Sequence, residues 1–508
     1  MRGPGGAGSR TSDPRAEAKR RLADERGTIV KDAPERVALV YPSPYRAAMS
    51  SLGFQTIYRE INATPGRCAE RAFLPDDPAA RGADGVPLLT YEGSRPITDF
   101  SVMALSVAYE LELAGVIRVL DLAGIPALAD DRDHRHPVVI AGGPLTFSNP
   151  LPLVPFVDAI LLGEAEDTIH TALDVIFGAV DKARSLEELA RAVPTCLVPS
   201  VHGEAQRELG RVDDARLPAY AQIITPHTEL RNMFLVEGER GCSRGCSYCV
   251  MRRSSRGGMR VVPVERVLER IPPEAKRVGL VGAAISDHPR ICELVETLAD
   301  RGLEVGLSSL RPDRLTDRLA AALRRAGHRT LTTAADGASQ RVRDGIGRRA
   351  REKHLEQAAR LTREHGFDRL KLYMMLGLPG ETDEDVDELV RFSSELSHIC
   401  PVSLGVAPFV SKRNTPLDGE PYAGIATVEA RLRRLRAGLR GRVEVRATSA
   451  RWASIEHRLA QGGAAEGRAV LDAVRAGGAF RDYARALGKP ESRRGRGRRR
   501  LTRPFPGP

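Results

Sequence analysis

Three cysteines, Cys242, Cys246 and Cys249, form one C-x3-C-x2-C run just after the apolar stretch Phe234-Leu235-Val236-Glu237. The fold must present all three thiols together on one short loop at the end of a buried strand. The other four, Cys68, Cys196, Cys292 and Cys400, stand singly beside apolar residues, as small buried hydrophobes do. An odd total of seven argues against a disulfide framework, as does an N-terminus rich in Gly, Arg and Ala without an apolar signal core. Zinc normally takes four ligands, and no fourth Cys or His completes a ribbon or finger pattern; the nearest downstream candidate is His288. Three thiolates suit a cubane 4Fe-4S cluster, in which three irons take protein sulfur and the fourth keeps an open position. An open iron is a catalytic position, so Cys242, Cys246 and Cys249 are the expected metal ligands and catalytic centre.

The rest of the chain reads as two βα series. Of 508 residues 42% are hydrophobic and 28% charged, enough for two or more packed cores. Buried-strand runs at Val37–Tyr41, Phe100–Ser106, Pro137–Ala141 and Asp158–Leu162 alternate with helical segments, which predicts an α/β Rossmann-like, doubly wound parallel sheet over 35–200. Ligands are expected at the carboxyl ends of its strands. A second series places strands at 234–237, 277–281, 304–307, 330–333, 369–375 and 402–408, a partial (β/α)6 barrel over 231–425. Residues 1–34 read as a flexible extension and 201–230 as a linker with an edge hairpin. A mostly helical region over 426–485, with a short strand at 443–445, is expected to cover the bottom or side of the barrel. The net charge of +11 is uneven: Lys489–Arg503 holds eight basic residues and one acidic one, within a basic tail over 486–508 expected to be disordered. No apolar run approaches the roughly 18–20 residues of a membrane span, which leaves a cytoplasmic protein as the expectation.

The cysteine run, with the aromatic Tyr248 before its last member and a strand before its first, resembles the signature of the radical S-adenosylmethionine (radical SAM) superfamily. The resemblance implies a 4Fe-4S cluster, SAM as cofactor, and an electron donor of flavodoxin or ferredoxin type. It implies SAM contacts at Tyr248, at Gly282 for the methionine amine, at Asp336 for the ribose, and at Ser339. Further contacts are implied at Gly377 and Glu381 in the turn Gly377-Leu378-Pro379-Gly380-Glu381-Thr382, and at Val410 beside adenine. Gly282-Ala283-Ala284 stands where the family often has Gly-Gly-Glu, and Asp336 where it has a longer Glu. The N-terminal half is similar to the cobalamin-binding-type domain of the uncharacterised cobalamin (B12)-binding-domain-containing radical SAM proteins. It carries Gly142-Gly143-Pro144 and Gly163-Glu164-Ala165-Glu166 after apolar strands. That similarity implies cobalamin contacts at Leu52, Gly53, Ser106, Gly142, Gly143, Gly163 and Glu164. Val40 to Phe54 contains no His, so no side chain there ligates cobalt from below.

Three functions compete. The first is a radical SAM enzyme that makes a 5′-deoxyadenosyl radical and, with cobalamin, methylates an unidentified substrate. The second keeps the radical but not the cobalamin, giving rearrangement or RNA or protein modification. Sulfur insertion is disfavoured, because only Cys68 and Cys196 precede the barrel where methylthiotransferases have three cysteines for a second cluster. The third is a non-enzymatic iron–sulfur protein that contacts RNA or the ribosome through the arginines of Arg493–Arg500. Asp287 and His288 lie at a strand end as candidate acid and base.

Overall fold

The computed structural model describes residues 13–77, 87–251 and 258–488; the basic tail at Lys489–Arg503 lies outside the described residues. The first sheet contains β1 (Glu35–Tyr41), β2 (Arg67–Phe73), β3 (Val102–Ser106), β4 (Val138–Gly142), β5 (Ala159–Leu161) and β6 (Cys196–Leu197). Its order is β2-β1-β3-β4-β5-β6, parallel except for the antiparallel β5/β6 edge. Val37 to Tyr41 is buried along its whole length because both faces are covered. Ala38 and Val40 join one core with Val116 and Leu120. Val37, Leu39 and Tyr41 join another with Phe54, Tyr58 and Ile61. The chain leaves β1 toward β2 on one side and returns to β3 on the other, so a topological switch lies between β1 and β3.

Residues 13–34 are anchored rather than flexible. Asp13 caps the helix Pro14–Ala23, and just beyond it Glu25 enters the core. Its carboxylate meets the buried Arg71 at 2.7 Å and accepts the Tyr45 hydroxyl at 2.5 Å. Burial opposes the Glu25 charge, but Arg71 outweighs it and holds the carboxyl below its ordinary value. An acid that looks solvated in the sequence is thus the partner of a core arginine.

The second series contains β7 (Met233–Glu237), a hairpin β8 (Glu239–Gly241)/β9 (Met259–Val261), and β10 (Arg277–Val281), β11 (Glu304–Leu307), β12 (Thr330–Asp336), β13 (Arg369–Leu376), β14 (Val402–Pro408) and β15 (Glu444–Ala447). One parallel sheet runs β11-β10-β7 and a second β12-β13-β14-β15, with a parallel bridge from Leu310 to Thr333 between them. One core fills the arc, from Leu235 and Leu280 to Leu370 and Leu404. The strand expected within the helical C-terminal region is β15, paired to β14 as the seventh strand of this arc. The 201–230 segment is bound to β7, with Ala221 N–H donating to Leu235 O at 2.7 Å and Glu237 N–H to Ala219 O at 2.9 Å.

Of the helical region, Ile425–Gly438 packs on the barrel through Val428, Leu432 and Leu435, whereas the helices Ala450–Gln461, Ala464–Arg475 and Phe480–Ala486 turn mainly to the first sheet. Ile455, Leu459, Val470, Leu471 and Tyr483 complete the core of the first sheet with Leu113, Val116 and Phe156. Gly467 permits the contact, since a Cβ there would collide with Pro152 O. Their apolar stripes predict burial but not against which core.

Candidate active site

The cysteine loop connects β8 to β9 and is tied down from four strand ends. Arg244 grips Asp287 after β10, with Nε to Oδ2 at 2.8 Å and Nη2 to Oδ1 at 3.1 Å. On the β12 side, Ser247 N–H donates to Ile346 O at 3.0 Å. From the segment after β14, Leu417 N–H donates to Ser247 O at 3.2 Å. Next to β7, Arg240 pairs with Glu237 at 2.6 Å. Cys246 is buried, while Cys242 and Cys249 are partly exposed. Burial pushes the thiols of Cys242 and Cys249 up. A bound metal reverses that preference by favouring thiolate.

The donor set fits a cluster better than an ion. Among the described residues, no three His, Cys, Asp or Glu side chains converge as a single metal ion requires. Three thiols nonetheless share one pinned loop. Arg244 stands between the first and second cysteines, its backbone N–H donating to Cys242 Sγ at 3.4 Å while its guanidinium holds Asp287. The Arg348 guanidinium donates to Cys246 and meets Asp336 Oδ2 at 2.9 Å. The amide and the cation both favour thiolate. Arg348 lies about a hundred positions downstream of the cysteines, and no motif in its neighbourhood marks it.

Asp336 is at the mouth where it was expected. It accepts the Tyr248 hydroxyl at 2.7 Å as well as Arg348, so Tyr248, Asp336 and Arg348 form one polar unit beside Cys246. Burial opposes the Arg348 charge, and Asp336 and Tyr248 outweigh it. Asp336 has φ +65, a left-handed conformation that Asp tolerates better than most residues. Gly282 also lies at the mouth, half-buried, and a Cβ there would strike the Glu239 carboxylate. Glu239 was not anticipated. It is fully buried, accepts Ala284 N–H at 2.6 Å, and leaves Oε2 without a partner. Burial pushes its carboxyl up to about 7.

Three other expected SAM contacts are corrected by their surroundings. Ser339 is fully buried as the cap of the helix Gln340–Gly345, and its hydroxyl bonds Asp385 at 2.5 Å. Glu381 turns back to accept Gly377 N–H at 2.8 Å and Arg431 at 2.8 Å. Gly377, at φ +86, is shaped by Ala423 and Val428 behind it. These residues build the turn and the cap rather than face a ligand. His288 likewise donates from Nε2 to Val262 O at 2.9 Å and accepts Arg290 N–H at Nδ1, so both nitrogens are spent. Asp287 is held by arginines and has no free role as an acid or base.

A cavity of about 380 Å³ opens beside Tyr248, lined by Met375, Phe409 and Val410 and by Lys412, Trp452 and Glu456. Val410, expected beside adenine, is one of the residues lining this cavity. Lys412 Nζ reaches Glu456 at 2.7 Å and, across to the first sheet, Glu110 at 2.7 Å.

At the carboxyl end of the first sheet, Leu52, Ser106 and Gly142 are half-buried and Gly53 is exposed, with no atom within 4 Å of a Cβ built there. The other expected cobalamin contacts are taken by protein. A Cβ on Gly143, at φ +103, would lie 2.7 Å from Val107 O. One on Gly163, at φ +87, would lie 2.6 Å from Gly210 O. Glu164 is buried, accepts Val212 N–H at 2.9 Å and pairs with Arg260 and Arg240. Glycines and an acid at strand ends serve close backbone approach and domain docking here.

The chain matches two family models, "Radical SAM proteins, N-terminal" over residues 53–199 and "Radical SAM superfamily" over residues 237–393. An uncharacterized protein of Methanocaldococcus jannaschii is 27% identical over 411 residues, 76% of this chain and 80% of that protein. An uncharacterized methyltransferase of Pyrococcus horikoshii is 23% identical over 351 residues, 62% of this chain and 74% of the other. The cobalamin-dependent S-adenosylmethionine radical enzyme OxsB, solved with aqua-cobalamin bound, shares the fold at TM-score 0.51 and 13% identity. That match covers 80% of this chain and 56% of OxsB, so the chain spans little more than half of the OxsB length.

Proposed function

The chain belongs to the radical SAM superfamily and is an enzyme of that kind; from this we propose that it generates a 5′-deoxyadenosyl radical at the Cys242–Cys246–Cys249 loop and directs it at a substrate in the adjoining cavity. One observation carries the reading: the cysteine loop is pinned from four strand ends with Tyr248 between it and a cavity of about 380 Å³, within the 300–1,000 Å³ usual for ligand sites. The thiolates of Cys242, Cys246 and Cys249 would hold a 4Fe-4S cluster, which when bound would supply the reducing electron for cleavage of SAM to methionine and the radical. That electron comes from an external donor of flavodoxin or ferredoxin type.

The side chains divide the remaining work. Arg244 and Arg348 hold the loop, and the Arg244 backbone N–H at Cys242 and the Arg348 guanidinium at Cys246 stabilise thiolate charge at the first two cysteines. Asp336, already oriented by Tyr248 and Arg348, has acceptor capacity for ribose hydroxyls. Gly282 leaves strand-end backbone open to the methionine amine. Val410, Phe409 and Met375 supply an apolar wall for adenine, which keeps water from the radical. Replacing any one of Cys242, Cys246 or Cys249 with Ala should abolish cluster absorbance and 5′-deoxyadenosine formation, whereas Cys292→Ala and Cys400→Ala should retain both. A single triad variant that still cleaves SAM after reduction overturns the assignment.

The finer reading is cobalamin-dependent methylation. It is favoured by the exposed Gly53 and the half-buried Leu52, Ser106 and Gly142 at the carboxyl end of the first sheet, and by the fold shared with OxsB. These four residues would hold a corrin, and a corrin supplies a transferable methyl group. Gly53→Phe should then lower corrinoid retention after anaerobic reconstitution and desalting without altering iron content. Wild-type protein that takes up iron and SAM but keeps no corrinoid returns the reaction to a cobalamin-free radical enzyme.

A further inference from the structure

The lining of the cavity is of two chemistries. Met375, Phe409 and Val410 are apolar, whereas Trp452, Lys412 and Glu456 bring an aromatic ring and charge. The helix Ala450–Gln461, capped by Ser449, places Trp452 and Glu456 four residues apart on one face. Trp452 is fixed edge-on against Tyr483 and Phe480, with centroids at 5.3 and 6.3 Å, and keeps 36% of its surface exposed. The Lys412 ammonium is shared between two carboxylates, Glu110 and Glu456, each at 2.7 Å. One cation against two anions leaves a net charge of −1. Glu110 is almost fully withdrawn, with 2% of its side chain exposed, while Glu456 keeps 26%, so the surplus negative charge faces the cavity at Glu456. An aromatic face beside a carboxylate that shares its one cation with a second carboxylate selects cations over neutral or anionic groups.

We propose that the Trp452–Glu456 wall binds an organic cation, an alkylammonium or guanidinium group borne by the substrate. The assignment rests on reading the cavity as the substrate chamber of a radical SAM enzyme, and it names the chemical class that chamber takes. The cation would lie over the Trp452 ring and against Glu456, apart from the apolar lining assigned to adenine.

Trp452 is the single tryptophan of the chain, so its fluorescence reports this wall alone. The anaerobically reconstituted full chain would be titrated with propylguanidinium and with its neutral isostere propylurea. The guanidinium should change the emission saturably, at least tenfold more tightly than the urea. Glu456→Gln should erase that preference. Lys412→Met leaves Glu110 and Glu456 without their cation and should bind propylguanidinium several-fold more tightly than wild type, an opposite change that a merely unfolded variant cannot imitate. Equal binding of the two probes, no emission change with either, or no tightening in Lys412→Met overturns the proposal. Cluster content and 5′-deoxyadenosine formation are measured on the same preparation. If both are present without discrimination between probes, only the cation assignment falls; if both are absent, the radical SAM reading falls first.

Discussion

At the residue scale, Asp336 is the most exposed to test. It combines a left-handed backbone, a tyrosine hydroxyl at 2.7 Å and a guanidinium at 2.9 Å with the role of ribose acceptor. Asp336→Asn keeps the conformation and most of the hydrogen bonding, whereas Asp336→Ala loses both and takes from Tyr248 and Arg348 their shared carboxylate. SAM affinity, measured by equilibrium dialysis on cluster-loaded protein, should fall by about 1–3 kcal/mol for Ala and clearly less for Asn, with iron content unchanged. An unchanged dissociation constant for the Ala variant would remove the ribose role. Arg348, which the sequence does not single out, touches both Asp336 and Cys246 and so joins the SAM side of the mouth to the cluster side.

At the element scale, turns that look like ligand loops are closed on themselves. In the turn from Gly377 to Glu381, burial raises the Glu381 carboxyl from 4.5 to about 7, more than Gly377 N–H and Arg431 lower it. Below about pH 4.5 the proton is bound in both folded and unfolded chains. Between there and about pH 7 the folded state holds more protons, so stability falls as pH rises through this window and is level above it. The decline should be on the order of 2–3 kcal/mol in urea unfolding, and Glu381→Gln should flatten it. Absence of any difference between the two pH profiles would place the Glu381 carboxyl in water. The first sheet gives a second case. Gly143→Ala sets a Cβ 2.7 Å from Val107 O at φ +103 and should lower the unfolding free energy by about 1–3 kcal/mol. Gly53→Ala, in open space within the helix Leu52–Ala63, should not destabilise and should gain up to about 1 kcal/mol.

At the scale of the whole molecule, the first sheet and the barrel arc are fastened next to the cysteines. Arg240, two positions before Cys242, pairs with Glu237, Glu166 and Glu164, and Arg260 adds a second cation to Glu164. Arg240→Met leaves those acids short of a partner in a buried junction. Its unfolding midpoint should correspond to a loss of about 3–5 kcal/mol, accompanied by poorer iron retention. Arg184→Met, which breaks an exposed pair with Glu187, should leave the midpoint in place. A wild-type midpoint for Arg240→Met would mean that the two halves are held by other contacts, such as Asn414 Nδ2 to Ser148 O at 2.7 Å. What the sequence by itself determined is local: the thiol triad, the parallel strands and the turn at Gly377, because period, spacing and backbone demand act within about ten residues. What only the tertiary structure decided is which partner each strand-end residue meets. The open backbone at Gly143 and Gly163 and the polar side chains of Glu164, Ser339 and Glu381 suit a ligand or the chain itself equally, and here backbone, arginines and the Asp385 carboxylate from distant segments meet them. Arg348, Glu239, Lys412 and Trp452 reached the site the opposite way, brought in by folding from stretches with no local pattern of their own. Long-range packing sets both outcomes, and no short window of sequence contains it.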